Sequence, residues 1–203
     1  MYIVCSDLEG VFVPEIWINV AKKTGIDELK LTTRDINDYN ILMTGRLKIL
    51  RQHGLTLQDI QRVISNLKPL PGAIEFLDWL RSRLQLIIVS DTFIEFADPL
   101  LKQMRRPTLF CHHLTTDDSG NITDYNLRQK DAKHKVVSAL QSLNYKVIAI
   151  GDSYNDISMI RKADLGILFN PPKNVIEENT DLMVVKSFID LRKVISSHIE
   201  KEQ

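Results

Sequence analysis

Asp7 and Glu9 stand two residues apart in Asp7-Leu8-Glu9-Gly10-Val11, directly after the apolar run Tyr2–Ser6. A second acidic group, Gly151-Asp152-Ser153-Tyr154-Asn155-Asp156, follows the apolar run from Val147 to Ile150, with Asp152 lying 145 residues beyond Asp7. Carboxylates at the ends of adjacent parallel strands make an oxygen-rich seat for a hard cation. A cation beside a carboxylate nucleophile suits phosphoryl transfer. Asp7 can attack phosphorus in line and form an aspartyl-phosphate. Glu9 is placed to protonate the leaving oxygen and then to activate water. Gly10 permits the tight turn this needs. Taken alone, an acidic pair after a strand reads equally well as a plain turn.

The second group is more specific. Asp152 ends its strand and would complete the shell of a hard cation such as Mg²⁺. Ser153 and Asp156 have the spacing of a capping box, so Asp156 also reads as a helix cap. The Asn155 amide can donate to a phosphate or substrate oxygen. Between the acidic groups, Ser90-Asp91-Thr92 ends the run Leu86–Val89, where a hydroxyl beside helical N–H groups can seat phosphate. The same three residues also read as a helix N-cap. A lysine is needed to neutralise charge on the transferring group. Lys133, at the start of a predicted helix, is favoured, with Lys130 in reserve and a solvated surface amine the alternative for both.

These residues need strands to carry them. Tyr2–Ser6, Leu86–Ser90, Thr108–Cys111, Val147–Ile150 and Leu165–Phe169 are near-continuous apolar runs, as in parallel strands covered on both faces, with Leu182–Val185 as a short edge. Helical patterns at Ala73–Arg83 and Lys133–Leu143 alternate with them, and Ser187 with Asp190 opens another helix. The alternation predicts an α/β fold, a doubly wound and mainly parallel sheet. Thr115–Ile122 reads as a hairpin turn in which Asp117 and Asp118 are solvated. Residues 14–68 break the rhythm. They read as helices only: Ile16–Thr24 closed by Gly25, about Ile41–Gln52 closed by Gly54, and Thr56–Leu67 with Thr56 capping and Asp59 at its third position. This predicts a small helical cap, 14–68, over an α/β core formed by 1–13 and 69–203.

The 203 residues suit one core domain with such an insertion. Twenty-six basic residues balance 26 acidic ones, so no charge excess points to nucleic acid or to an anionic membrane. Two cysteines, Cys5 and Cys111, argue against a disulfide framework and for a reducing, cytoplasmic setting. No signal peptide or membrane-spanning run is expected. His53, His112 and His113 lack metal-ligand spacing and read as polar residues at element ends, and Trp17 and Trp79 as packing residues.

In order and spacing, the pieces from Asp7 to Asp156 resemble the four motifs of haloacid dehalogenase-type phosphatases. The resemblance implies Asp7 as nucleophile and Glu9 as acid/base. It implies Mg²⁺ held by Asp7, the residue-9 position (commonly through its carbonyl) and Asp152, and phosphate contacts from Ser90 and the motif lysine. The cap position is similar to that of phosphoserine phosphatases. Arg46 there can grip an α-carboxylate and Glu15 can pair with an α-ammonium, though Arg46 lies among basic residues and Glu15 also suits a cap for the helix at Ile16. Glu9 replaces the usual Asp, and Asp91-Thr92 the usual small Gly residues. Both departures resemble the bifunctional phosphoserine phosphatase/homoserine phosphotransferase branch, in which the phosphoryl group passes to water or to homoserine. Asp91 is expected to bind the substrate ammonium or to cap the helix. Two rival readings are a phosphatase of a sugar or other small phosphate, and a phosphoacceptor domain without turnover.

Overall fold

A computed structural model describes residues 1–32, 35–36 and 38–201. Its first strand, β1 (Tyr2–Ser6), is apolar on both faces, and its side chains divide accordingly. Val4 packs in one hydrophobic cluster with Ile148, Ile150 and Ile88. Ile3 and Cys5 pack in the other with Val147, Ala149 and Val137. A strand buried on both sides needs helices on both sides, and the chain supplies them.

Among the described residues, four helices follow β1: α1 (Ile16–Thr24), α2 (Tyr39–Gln52), α3 (Leu57–Ile64) and α4 (Ala73–Arg81), with a 3₁₀ turn at Asp27–Lys30. Gly25 ends α1 in the left-handed region, its N–H donating to the Ala21 carbonyl. Asp38 caps α2, accepting from the N–H groups of Asn40 and Ile41, so this helix starts two residues before the expected Ile41. Thr56 and Asp59 form the expected capping box on α3.

The chain then alternates: β2 (Gln85–Phe93), α5 (Ile94–Gln103), β3 (Leu109–Thr116), β4 (Ile122–Asn126), α6 (Ala132–Ser142), β5 (Lys146–Gly151), α7 (Ile157–Lys162), β6 (Leu165–Phe169), α8 (Lys173–Glu178), β7 (Met183–Val185) and α9 (Phe188–Glu200). The strands form one sheet in the order β4-β3-β2-β1-β5-β6-β7. Every neighbouring pair is parallel except β3 with β4. The doubly wound, mainly parallel sheet is as predicted.

Three local expectations need correction. Ser90-Asp91-Thr92 does not cap a helix: β2 runs on through it to Phe93, with a register irregularity after Val89, and α5 starts only at Ile94. The third strand extends past Cys111 to Thr116 because β4 pairs with its outer half. His112 and His113 therefore lie inside a strand and not after one. The sequence patterns predict neither α5 nor α8.

From β1 the chain winds outward through β2 and β3, then returns to β5 on the other side. The switch point thus falls between β1 and β5, and the crevice beyond their C-terminal ends is where such sheets bind ligands. Ser6 is level with Ile150, and the Asp7 N–H donates to the Ile150 carbonyl at 2.9 Å. The two acidic groups therefore emerge side by side.

Candidate active site

Beyond the strand ends, the backbone after Asp7 turns sharply. The N–H groups of Phe12 and Val13 both donate to the Leu8 carbonyl, and Gly10 has φ +75°. A Cβ on Gly10 would lie 2.3 Å from the Asp152 carboxyl carbon, so the turn and the second acidic group fit only with glycine here. Gly151 has the same constraint from the other side, since a Cβ there would lie 2.3 Å from Cβ of Asp156.

Asp7, Asp152 and Asp156 are all buried, and each offers an oxygen within 4.8 Å of the others. Between them stands Lys133, 2% exposed, from the first turn of α6. Its Nζ lies 2.6 Å from Asp156 Oδ1, 3.1 Å from Asp7 Oδ1 and 3.7 Å from Asp91 Oδ2. Burial works against the ammonium, but Asp156, Asp7 and Asp91 outweigh it and hold the Lys133 pKa well above the ordinary lysine value. Asp7 is pushed well above the carboxylate range, by burial first and then by Asp156, with Lys133 opposing. An all-oxygen donor set with more negative than positive charge suits a hard divalent cation, so these residues fit Mg²⁺.

Asp156 has a second task. Its Oδ2 accepts from the N–H groups of Asp152 and Ser153, both at 3.0 Å. With Oδ1 on Lys133, both oxygens are engaged, and the predicted Ser153–Asp156 capping box is present. Lys130, the reserve, is exposed.

The Glu9 carboxylate lies outside the acidic triad. It accepts from the N–H of Ile16 at 2.7 Å, so Glu9, and not Glu15, caps α1. Glu15 occupies the N-cap position with no side-chain cap bond. Burial, helped by Glu15, pushes the Glu9 carboxyl up to about 7, against the Ile16 N–H, Arg46 and Lys133. That value suits a group that must both give and take a proton near neutrality.

These side chains surround a cavity of about 130 Å³ between the strand ends and the helical segment, lined by Asp7, Glu9, Glu15, Arg46, Ser90 and Asp152 among others. Arg46 is buried, and its guanidinium lies 4.5 Å from the Trp17 ring centre. Its NH2 group donates to the Leu31 carbonyl at 2.7 Å, while its buried Nε has no partner among the described residues. Burial lowers its pKa to about 10. Ser90 is buried, and its Oγ lies 3.3 Å from the Thr92 nitrogen.

Asp91 and Asn155 face each other, Asn155 Nδ2 donating to Asp91 Oδ2 at 2.9 Å. Burial would raise the Asp91 carboxyl, but Lys133, His112 and Asn155 outweigh it and hold it below the carboxylate range. Tyr39, which no sequence motif marks, lines the cavity and donates its hydroxyl to the Asp91 carbonyl at 3.1 Å. His112, expected at an element end, is instead a buried neighbour of Asp91. Neither residue belongs to a spacing pattern, so no signal in the sequence marks them.

The chain matches the haloacid dehalogenase-like hydrolase family model over residues 7–164. It is 58% identical over 193 residues to the phosphoserine phosphatase ThrH of Pseudomonas aeruginosa, covering 95% of this chain and 94% of that protein. It is also 58% identical over 191 residues to a phosphoserine phosphatase of Pseudomonas syringae pv. tomato, covering 94% and 81%. Among solved structures, a phospho-aspartyl intermediate analogue of a phosphoserine phosphatase superposes with a TM-score of 0.77, covering 96% of this chain and 97% of that one. At 23% identity that likeness speaks for the fold.

Proposed function

Because this chain belongs to the haloacid dehalogenase-like hydrolase family, we propose that it hydrolyses phosphoserine through an aspartyl-phosphate on Asp7. The observation that carries the reading is the pairing of opposite walls in one small cavity. Asp7, beside Lys133, lies at its floor, and Arg46 and Glu15 line it from the helical segment. The names of the two Pseudomonas relatives support the same substrate.

The Asp7 carboxylate attacks phosphorus, and the serine oxygen leaves with a proton from Glu9. Water then attacks the aspartyl-phosphate and gives its proton back to Glu9, which restores both carboxyl groups. Lys133 and Ser90 offset charge on the phosphoryl oxygens. Arg46 takes the substrate carboxylate and Glu15 the ammonium, with Asn155 on a substrate oxygen. Asp7 and Asp152, with the carbonyl of residue 9, would hold Mg²⁺, which supplies positive charge to the transferring group. Residues 14–68 act as a cap that excludes water from the core formed by 1–13 and 69–203. In the second step the hydroxyl of homoserine can take the place of water. The free buried thiols of Cys5 and Cys111 suit work in the reducing cytoplasm.

The test is steady-state phosphate release from L-phosphoserine with Mg²⁺, with and without homoserine, for wild type and Asp7→Asn. Asp7-dependent turnover with phosphohomoserine formed supports both activities, and turnover without it leaves hydrolysis alone. No turnover of phosphoserine, with turnover of sugar phosphates, would overturn the substrate. A stable phosphoprotein without phosphate release would make the chain a phosphoacceptor domain. Arg46→Ala should reduce turnover of phosphoserine far more than that of an aryl phosphate, and equal losses would remove Arg46 from substrate recognition.

A further inference from the structure

His112 lies on β3, 3% exposed and level with Phe93 of β2. A buried imidazole must satisfy two ring nitrogens that differ in what they can do. Nδ1 lies 3.0 Å from the backbone nitrogen of Arg128, which can only donate, so Nδ1 carries no proton. The ring proton is therefore on Nε2, and the imidazole is neutral. Nε2 faces Asp91 Oδ1 at 3.6 Å, too long for a direct hydrogen bond but an orienting N–H dipole on a carboxylate. The other Asp91 oxygen receives the Asn155 amide at 2.9 Å and lies 3.7 Å from Lys133 Nζ.

We propose that His112 is a positioning residue which, as the Nε2–H tautomer, holds Asp91 and through it sets where Lys133 and Asn155 stand against Asp7. Lys133 is shared by three carboxylates, at 2.6 Å from Asp156, 3.1 Å from Asp7 and 3.7 Å from Asp91. Whichever carboxylate moves closer draws the ammonium from the others. Held by His112 on one oxygen and Asn155 on the other, Asp91 stays the most distant of the three. Without the Nε2 donor, Asp91 Oδ1 is released to turn toward Lys133 and draw it from Asp7. The same hold fixes Asn155 at the shared wall between the substrate cavity and the adjacent cavity of about 490 Å³ that Lys130 and His112 line. Asp91 thus acts as a strut, which answers why a carboxylate is tolerated so close to a phosphate seat. This inference rests on the phosphatase reading for its kinetic consequence, but not for the tautomer.

The experiment separates the two ring nitrogens. His112→Asn keeps an acceptor near Nδ1 for the Arg128 N–H and loses the donor to Asp91. His112→Gln places an amide N–H near Nε2 and loses the other acceptor. Turnover of L-phosphoserine and of p-nitrophenyl phosphate is measured with Mg²⁺, alongside Tm. His112→Asn should lower kcat about tenfold on both substrates with KM within about twofold, while His112→Gln keeps kcat within about threefold even if its Tm falls further. ¹⁵N NMR of the wild type should show protonated Nε2 and unprotonated Nδ1. Unchanged kcat in His112→Asn, equal losses in both variants, or a proton on Nδ1 would overturn the proposal. If the wild type turns over only the aryl ester, the phosphoserine reading fails while the variant comparison still stands. If it turns over neither, the phosphatase reading and the kinetic role fail together, and the NMR result still decides the tautomer.

Discussion

Lys133 and Glu9 are ordinary side chains shifted by their surroundings, Lys133 against burial by its carboxylate neighbours and Glu9 chiefly by burial itself. Lys133 sits between Asp7 and Asp156, all three under 5% exposed, and its ammonium is the nearest positive charge to the carboxylate assigned as nucleophile. Lys133→Met removes that charge and leaves two buried carboxylates facing each other. Breaking a buried pair from one side costs about 3–5 kcal/mol. Urea denaturation in a chelator should show a loss of that order, and turnover with Mg²⁺ should fall about 10²–10³-fold. A variant as stable and active as wild type would leave Lys133 without a role. Glu9 makes the complementary case. Its Oε2 already accepts from the Ile16 N–H, a bond that the carbonyl of glutamine can replace, so Glu9→Gln should not lower Tm, and in a chelator above about pH 7, where Glu9 ionises in its buried site, it should raise it. Proton transfer cannot be replaced, so kcat for phosphoserine should fall about 10²–10⁴-fold. If kcat held while Tm dropped, Glu9 would be a helix cap and nothing more.

Each of these groups depends on a turn or helix end that admits few alternatives. Gly151 ends β5 with Asp156 folded back against it, and an added Cβ would meet the Asp156 carboxyl carbon at 2.4 Å. Gly151→Ala must push Asp156 off Lys133 and off the N–H groups of Asp152 and Ser153, costing about 1–3 kcal/mol. Its turnover should fall much further than that loss of stability alone would produce, and near-normal kcat would show that Asp156 can move without harm. Thr56→Ala, at the capping box of α3, is the contrasting case: about 1 kcal/mol lost in denaturant titration, with kcat unchanged. At this scale the sequence was legible wherever a pattern is local. Apolar runs marked β1, β5 and β6, cap residues marked the starts of α3 and α9, and Gly25 marked the end of α1, because strand burial and these caps involve neighbours in the chain. Helix α5 was not legible because Pro99 interrupts its pattern and Asp91-Thr92 imitates a cap while lying within the span of β2, at its register irregularity. The outer half of β3 gains its partner only from β4, across the hairpin.

The molecule as a whole brings together what the chain keeps apart. The sheet order places β1 between β2 and β5, which sets Asp7, Ser90 and Asp152 around one crevice, and the helical segment supplies the facing wall. The motif spacings carried that much, because parallel strands of similar length end at one level. They did not carry His112 or Tyr39, whose neighbours are set by packing between distant elements. The same assembly crowds carboxylates, and the crowding should govern how the protein responds to metal removal. Glu9 is raised to about 7 and Asp7 is raised as well, chiefly by burial. In the unfolded chain both ionise near their ordinary values, so the metal-free folded state holds protons that the unfolded state has lost. Their contribution to stability is complete below those ordinary values and disappears as pH rises through the folded ones. Asp91 and Asp164 are depressed, and their contribution is lost only as pH falls through their folded values, below the ordinary 3.8. In a chelator, Tm should therefore fall between about pH 5 and about pH 8. Mg²⁺ binds the ionised carboxylates of the folded state alone, so it should restore most where most was lost. At a concentration of about 100 Kd the gain is about 2.7 kcal/mol, or roughly 5–10 °C in a protein of this size, and it should shrink toward about pH 5 as protons compete for the same oxygens. A Tm that climbs toward alkaline pH in chelator, or a Mg²⁺ gain equal at every pH, would mean that the buried carboxylates are not the seat of the ion.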